Sequence, residues 1–173
     1  YKTCHRTLND TIRYIKNLKN MGFKVGSGNI VGFHNQSHFD LANDLLLLDR
    51  LNVNMASTSC LQANKEQPDE LREVGDPVLT LKFLSLMRLI MINKKLCIPT
   101  NSTLGKYGKI KALKLGANEI SINFTPKKYA GNYSIYTGAK RHKSNYNETI
   151  NIIREAGMEL TTYNNMKEKG LVW

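Results

Sequence analysis

The chain has 173 residues and a mass of 19.6 kDa, enough for one domain that buries about 70% of its unfolded surface and too few for two. Its 41% hydrophobic and 23% charged content is that of a soluble globular protein, and no run of about 18 apolar residues is present to span a bilayer as a helix. The net charge of +11 raises nucleic-acid binding, but Lys is scattered along the chain among 19 Asn, and no aromatic-basic motif collects it into a face.

Leu8 opens the first apolar stripe, with Ile12, Ile15 and Leu18 at helical spacing, and Gly22 stops it before the extended run from Phe23. A glycine-rich strand over 24–31 follows, then a helix from Phe39 to Leu51 and a second strand over 53–60. Residues 62–76 read as a long polar loop. Asp76 can cap, and Pro77 begin, a helix running to Ile92, because proline lacks only an N–H that the first turn leaves unbonded anyway. Strands over 96–100 and 118–123 flank a helix from Ile110 to Leu115 that ends at Gly116. An Asn-capped helix, expected over 148–156, ends at Gly157 in the same manner. Helix, glycine, strand is the order of β/α units, whose strands pair in parallel.

Four such units are half of an eight-stranded barrel, which takes about 250 residues. The expected fold class is therefore α/β: the C-terminal half of a (β/α) barrel, four parallel strands alternating with helices, over residues 1–140, with a C-terminal helical segment over 141–173. The chain opens on Tyr1 without a charged-then-apolar leader, so its start is expected to lie inside a longer protein. In such barrels the site stands at the C-terminal ends of the strands.

Cys4, Cys60 and Cys97 lie dozens of residues apart, which fits neither a disulfide framework nor a metal motif, and they read as reduced thiols of a cytosol-like compartment. His34, His38 and Asp40 are too few for a zinc site, so no metal ligands are assigned. Cys60 and Cys97 read as small buried hydrophobes, and Arg88 as the partner of a surface carboxylate. Tyr129, Tyr133 and Tyr136 fall on one helical face, where packing and function are equally served.

Glycine within a strand marks close approach of a ligand or of another backbone. Gly28-x-Ile30-x-Gly32 resembles the GxIxGxxE strand motif of radical S-adenosylmethionine (SAM) enzymes, with Asn35 in place of the final Glu. The agreement continues in order through Leu41-Ala42-Asn43-Asp44, Leu79-Thr80-Leu81-Lys82, Ile98-Pro99-Thr100-Asn101-Ser102, Gly116-Ala117-Asn118 and Thr125-Pro126-x-x-Tyr129 with Tyr133-x-Ile135-Tyr136. Over roughly residues 8–140 the chain is similar to the second half of the radical SAM maturases of FeFe hydrogenases, relatives of biotin synthase and methylornithine synthase.

The resemblance implies a cytoplasmic or anaerobic-organelle enzyme that cleaves SAM reductively to a 5′-deoxyadenosyl radical. It implies SAM and a 4Fe–4S cluster as cofactors. The cluster is expected on a CxxxCxxC loop in a missing N-terminal half of the barrel, so this segment alone is expected to be inactive. Gly28, Ile30, Gly32 and Phe33 would face the cofactor. Ser57, Ser59, Asn101, Ser102, Asn123, Tyr129, Tyr133 and Tyr136 would line the cavity of a small polar or zwitterionic substrate. The expected partners are the missing half and that substrate, with no membrane and no nucleic acid.

His34-Asn35-Gln36-Ser37 replaces the family's proline-glycine turn, and Asn101-Ser102 replaces paired threonines. Gly26 stands where biotin synthase carries a cluster-ligating Cys, and no Arg lies between Leu96 and Gly105, so sulfur insertion by the biotin route is not expected. After residue 140 the tail is more similar to methylornithine synthase, which makes that enzyme or an uncharacterised sister the alternative. A basic nucleotide- or RNA-binding α/β module and a decayed copy are the remaining readings.

Overall fold

The computed structural model describes residues 7–63, 74–130, 132 and 142–168. In chain order it forms α1 (Leu8–Asn20), β1 (Gly26–Val31), α2 (His38–Leu51), β2 (Met55–Cys60), α3 (Pro77–Ile90), α4 (Gly105–Lys114), α5 (Lys127–Ala130), α6 (Tyr146–Glu155) and α7 (Tyr163–Glu168). A single 3-10 turn over Ser102–Leu104 precedes α4. Residues 64–73 of the expected polar loop lie outside the described residues.

The helix starts follow from side-chain caps. Ser37 Oγ accepts from Asp40 N while Ser37 N and Oγ donate to the Asp40 carboxylate at 2.8 and 2.7 Å, a capping box worth about 1 kcal/mol. These bonds hold the Asp40 carboxyl below its usual range. At α3 Asp76 Oδ1 accepts from Val78 N at 2.7 Å, as the Asp-Pro pair predicts. The cap of α6 is Asn145, which accepts from Glu148 N, two residues before the Asn147 of the predicted helix start.

The strand pair β1–β2 is parallel, with Gly26 opposite Met55, Gly28 opposite Ser57 and Ile30 opposite Ser59. The third and fourth predicted strands are not strands of this sheet. They join it through single parallel bridges, Met55–Cys97 and Pro99–Glu119. Two sequence features explain the short contacts: Pro99 has no N–H to continue the ladder, and the Asn118 side chain takes the Ile98 N and Leu96 O positions at 2.7 and 3.1 Å. A four-stranded half barrel is thus reduced to a two-stranded parallel sheet with two bridged segments beside it.

The sheet has two unlike sides. Val31, Ala56 and Ile98 are wholly buried on the side covered by α2, α3 and α4, where Leu45, Leu84, Met87 and Leu113 meet them in one core. Ile152 and Ile153 of α6 enter the same core from beside α4. On the other side Gly26, Gly28 and Ile30 are exposed and Met55, Ser57 and Ser59 are half-buried. Among the described residues Arg88 pairs with no carboxylate: its guanidinium donates to Gly116 O at 2.8 Å and Leu96 O at 3.3 Å, tying the α4 exit to the third segment. Among the described residues no helix is long and apolar enough to cross a membrane.

Candidate functional site

The open side of the sheet gathers four of the predicted residues. Gly28 and Ile30 stand beside Ser57 and Ser59 in register, so two hydroxyls and one branched side chain border a strip of bare backbone. Gly28 is required here by its neighbour strand: a Cβ at this position would run into the Ser57 carbonyl oxygen and hydroxyl. Of the two reasons for an in-strand glycine, close approach of another backbone is therefore satisfied within the chain.

Beyond β1 the chain turns at Gly32 with φ +108°, and Asn35 adopts φ 60°, a left-handed conformation that Asn tolerates better than most residues. The turn is held by Gln36, whose side chain accepts from Gly32 N at 2.8 Å and donates to Ile30 O at 3.0 Å, while Gln36 N donates to Phe33 O. Phe33 is half-buried within this turn. The loop that departs from the family pattern is thus fastened to its own strand.

At the end of the third segment Asn101 is buried, and both ends of its amide are engaged. Its Nδ2 donates to Thr58 O at 3.1 Å, and its Oδ1 accepts from Thr103 N and Oγ1 at 2.8 and 2.6 Å. Ser102 and Asn123, at neighbouring strand ends, are joined by a segment absent from the predicted site: His142 N donates to Ser102 O at 2.9 Å, and Asn123 N donates to Ser144 O at 3.0 Å. Tyr129 lies apart, 47% exposed, with Lys128 Nζ 4.6 Å from its ring centroid. Tyr133 and Tyr136 lie outside the described residues.

The 142–145 segment is anchored by a buried lysine. Lys109 of α4, 3% exposed, donates from Nζ to His142 O at 2.9 Å and Ser144 Oγ at 3.0 Å, and Thr149 Oγ1 donates to the same Ser144 oxygen. Beside it His142 Nε2 lies 2.9 Å from Glu148 Oε1. Burial pushes the Lys109 ammonium below its ordinary value, with Glu148 opposing the shift. The unfolded chain therefore holds this proton up to 10.5, whereas the native chain releases it sooner, and stability should rise as pH climbs towards 10.5. Between neutral pH and pH 10 the urea midpoint should change more favourably in the wild type than in Lys109→Met, the thiols contributing the same loss to both. Equal changes in both chains would show that Lys109 is not the titrating group.

Neither thiol stands free at a strand's C-terminal end. Cys60 points to the helix side and donates to Gly75 O at 3.2 Å, and burial pushes its pKa up. Cys97 lies at the beginning of the third segment and donates to Glu119 Oε2 at 3.1 Å. Burial, followed by Glu119, pushes this thiol up to about 12. Beside Cys97 a groove of about 1260 Å³ opens at the N-terminal ends of the strands, with Met55, Cys97 and Glu119 in its wall. It lies at the opposite end from the predicted site, and Met158 and Leu160, after α6, are also in its wall.

Comparison with known proteins gives a likeness over much of the chain. The chain is similar to a maturation protein of [FeFe] hydrogenases, as the ordered motifs from Gly28 to Tyr136 led one to expect. The relative is the [FeFe] hydrogenase maturase subunit HydE of Thermotoga maritima, 32% identical over 124 residues, which are 70% of this chain and 35% of that protein. The chain therefore spans about a third of the relative's length. No protein-family model matches the chain.

Proposed function

We propose that this chain is the C-terminal portion of a radical SAM enzyme of the hydrogenase-maturase type, and that its open sheet face is one wall of the reaction chamber. The identity of 32% to the Thermotoga maritima maturase carries the reading. The geometry supports it, since a parallel β/α layer that buries one side of its sheet and exposes the other is suited to continuation by further strands.

The residues present fit the cofactor. No side chain larger than hydrogen can stand at Gly28, because Ser57 fills the place of a Cβ, and Ile30 is 39% exposed one row further on. A planar base could lie flat on this strip against Ile30. Gly32 and Phe33 would border it at the strand end. When bound, SAM with its 4Fe–4S cluster would supply a carbon radical through reductive cleavage. Ser57 and Ser59 would orient a small polar substrate by hydrogen bonds, Ser102 and Asn123 would border it, and Asn101 would hold that rim to β2. The N-terminal half of the barrel would be the structural partner, the chain proper being 1–140 with its tail 141–173.

The test is the parent protein. The coding sequence upstream of Tyr1 should continue in frame to CxxxCxxC. The parent, reconstituted anaerobically with iron and sulfide and reduced with dithionite, should release 5′-deoxyadenosine from SAM. A stop codon immediately upstream, or a clustered parent that leaves SAM intact, would remove the proposal.

A further inference from the structure

The groove at the strand starts takes no part in the proposed chamber, and much of its wall is apolar surface left open. Leu96 is buried and Met55 and Ile120 are half-buried, while Met158 and Leu160, just after α6, are 36% and 60% exposed. Met166 of α7 joins the same wall. It is the one half-buried residue of a six-residue helix whose other side chains are exposed. A helix of that length does not hold itself together in water, so α7 needs an anchor beyond one methionine.

The sequence that follows is suited to supply it. Lys169, Gly170, Leu171, Val172 and Trp173 come after α7 and lie outside the described residues. With Glu168 as the last helical residue, Lys169 takes the cap position and Gly170 the place after it, where glycine commonly ends a helix through a left-handed turn. In that arrangement the residue behind the glycine packs on the third residue from the helix end. Here the first is Leu171 and the second is Met166, the α7 residue that lines the groove. The spacing thus aims an apolar tail at the groove, and five residues beyond Glu168 reach at most about 18 Å.

We infer that Leu171, Val172 and Trp173 dock in the groove of their own chain and cover Met158, Leu160 and Met166. A second copy is the weaker occupant, because the two-residue tether of Lys169 and Gly170 holds the tail at an effective concentration of about millimolar, above that of free copies in dilute solution. The inference does not rest on the chamber, which stands at the other end of the strands.

Trp173 is the single tryptophan of the chain, so its fluorescence reads the docking directly. In the folded 173-residue chain it should emit at shorter wavelength than in urea and be quenched severalfold less by acrylamide. Leu160→Glu should remove most of that difference, since docking would then bury an unpaired carboxylate. Leu89→Glu is the control: Leu89 is 61% exposed on α3 and lies outside the groove, so the shielding should stay. Gly170→Ala should lose part of it, because alanine disfavours the left-handed turn. Circular dichroism melts establish that each variant is folded, and Leu160→Gln repeats the test in a milder form.

Trp173 as open to acrylamide in the folded wild type as in urea overturns the inference, and so does shielding that survives both substitutions at Leu160. Shielding that is lost on dilution also overturns it, giving the groove to a second copy. Failure of SAM cleavage by the parent with Trp173 still shielded would instead strike the proposed reaction alone.

Discussion

Iodoacetamide at pH 8 is expected to alkylate Cys97 on the order of a thousandfold more slowly than an ordinary cysteine, because only the thiolate attacks. The ordinary value of 9.0 is pushed to about 12 in the native chain, and each unit lowers the thiolate fraction tenfold. Burial is the largest cause and the Glu119 carboxylate the next, while Arg88 opposes them weakly. Glu119→Gln should therefore restore only part of the reactivity, and unfolding in urea should restore all of it. Peptide mapping by mass spectrometry reads Cys97 separately from Cys60. The same shift bears on stability: a native pKa above the unfolded one stabilises below pH 9, and that contribution falls away as pH rises from 9 towards 12. Labelling of folded Cys97 at the ordinary rate would show that Cys97 is neither buried nor held in contact with Glu119.

The contact also marks where sequence reading stops. The helix, glycine, strand order was legible because each stop is a local backbone event: Gly22, Gly116 and Gly157 all adopt positive φ, at 86°, 118° and 74°, in the turns that end α1, α4 and α6. Period-2 and helical patterns likewise located β1, β2, α1, α2, α3 and α6 to within a few residues, but not the short α5 and α7 or the start of α4. There Gly105, Lys106 and Tyr107 show no apolar stripe, and the helix nevertheless begins five residues before Ile110. The third and fourth strands were overread, since an alternating pattern reports which side chains face the core and says nothing about whether Pro99 and the Asn118 side chain leave the ladder intact.

Of the candidate site, Gly28, Ile30, Ser57 and Ser59 could be placed on one side by alternation alone. Lys109, Ser144 and His142 could not, because they are joined across 33 to 35 residues by hydrogen bonds that leave no periodic trace. Arg88 was misassigned for a related reason: a positive charge in a helix suggests a carboxylate, whereas the carbonyls of Leu96 and Gly116 become its partners only after the chain has folded back.

Gly32→Ala is the substitution expected to cost the fold most for a single methyl group. Gly32 has φ +108°, where a side chain is strained, at a cost of roughly 1–3 kcal/mol. Its added Cβ would also meet the Cα of Gly75, a backbone atom that cannot rotate aside. Gly75 has no room to retreat: its own Cβ position is filled by Val31 O and Leu61 N, its N–H donates to Leu61 O at 2.9 Å, and its carbonyl accepts from Cys60 Sγ. Relief would have to pull the entry to α3 away from the ends of both strands. Overpacking of that kind adds about 1–3 kcal/mol, so a total near 3 kcal/mol or more is expected, read as a lower urea midpoint at unchanged slope. Gly22→Ala gives the control, for it shares the positive φ but has nothing within 4 Å of its Cβ position. The difference between the two variants then isolates the Gly32–Gly75 contact, and equal losses would mean that backbone strain alone accounts for both glycines.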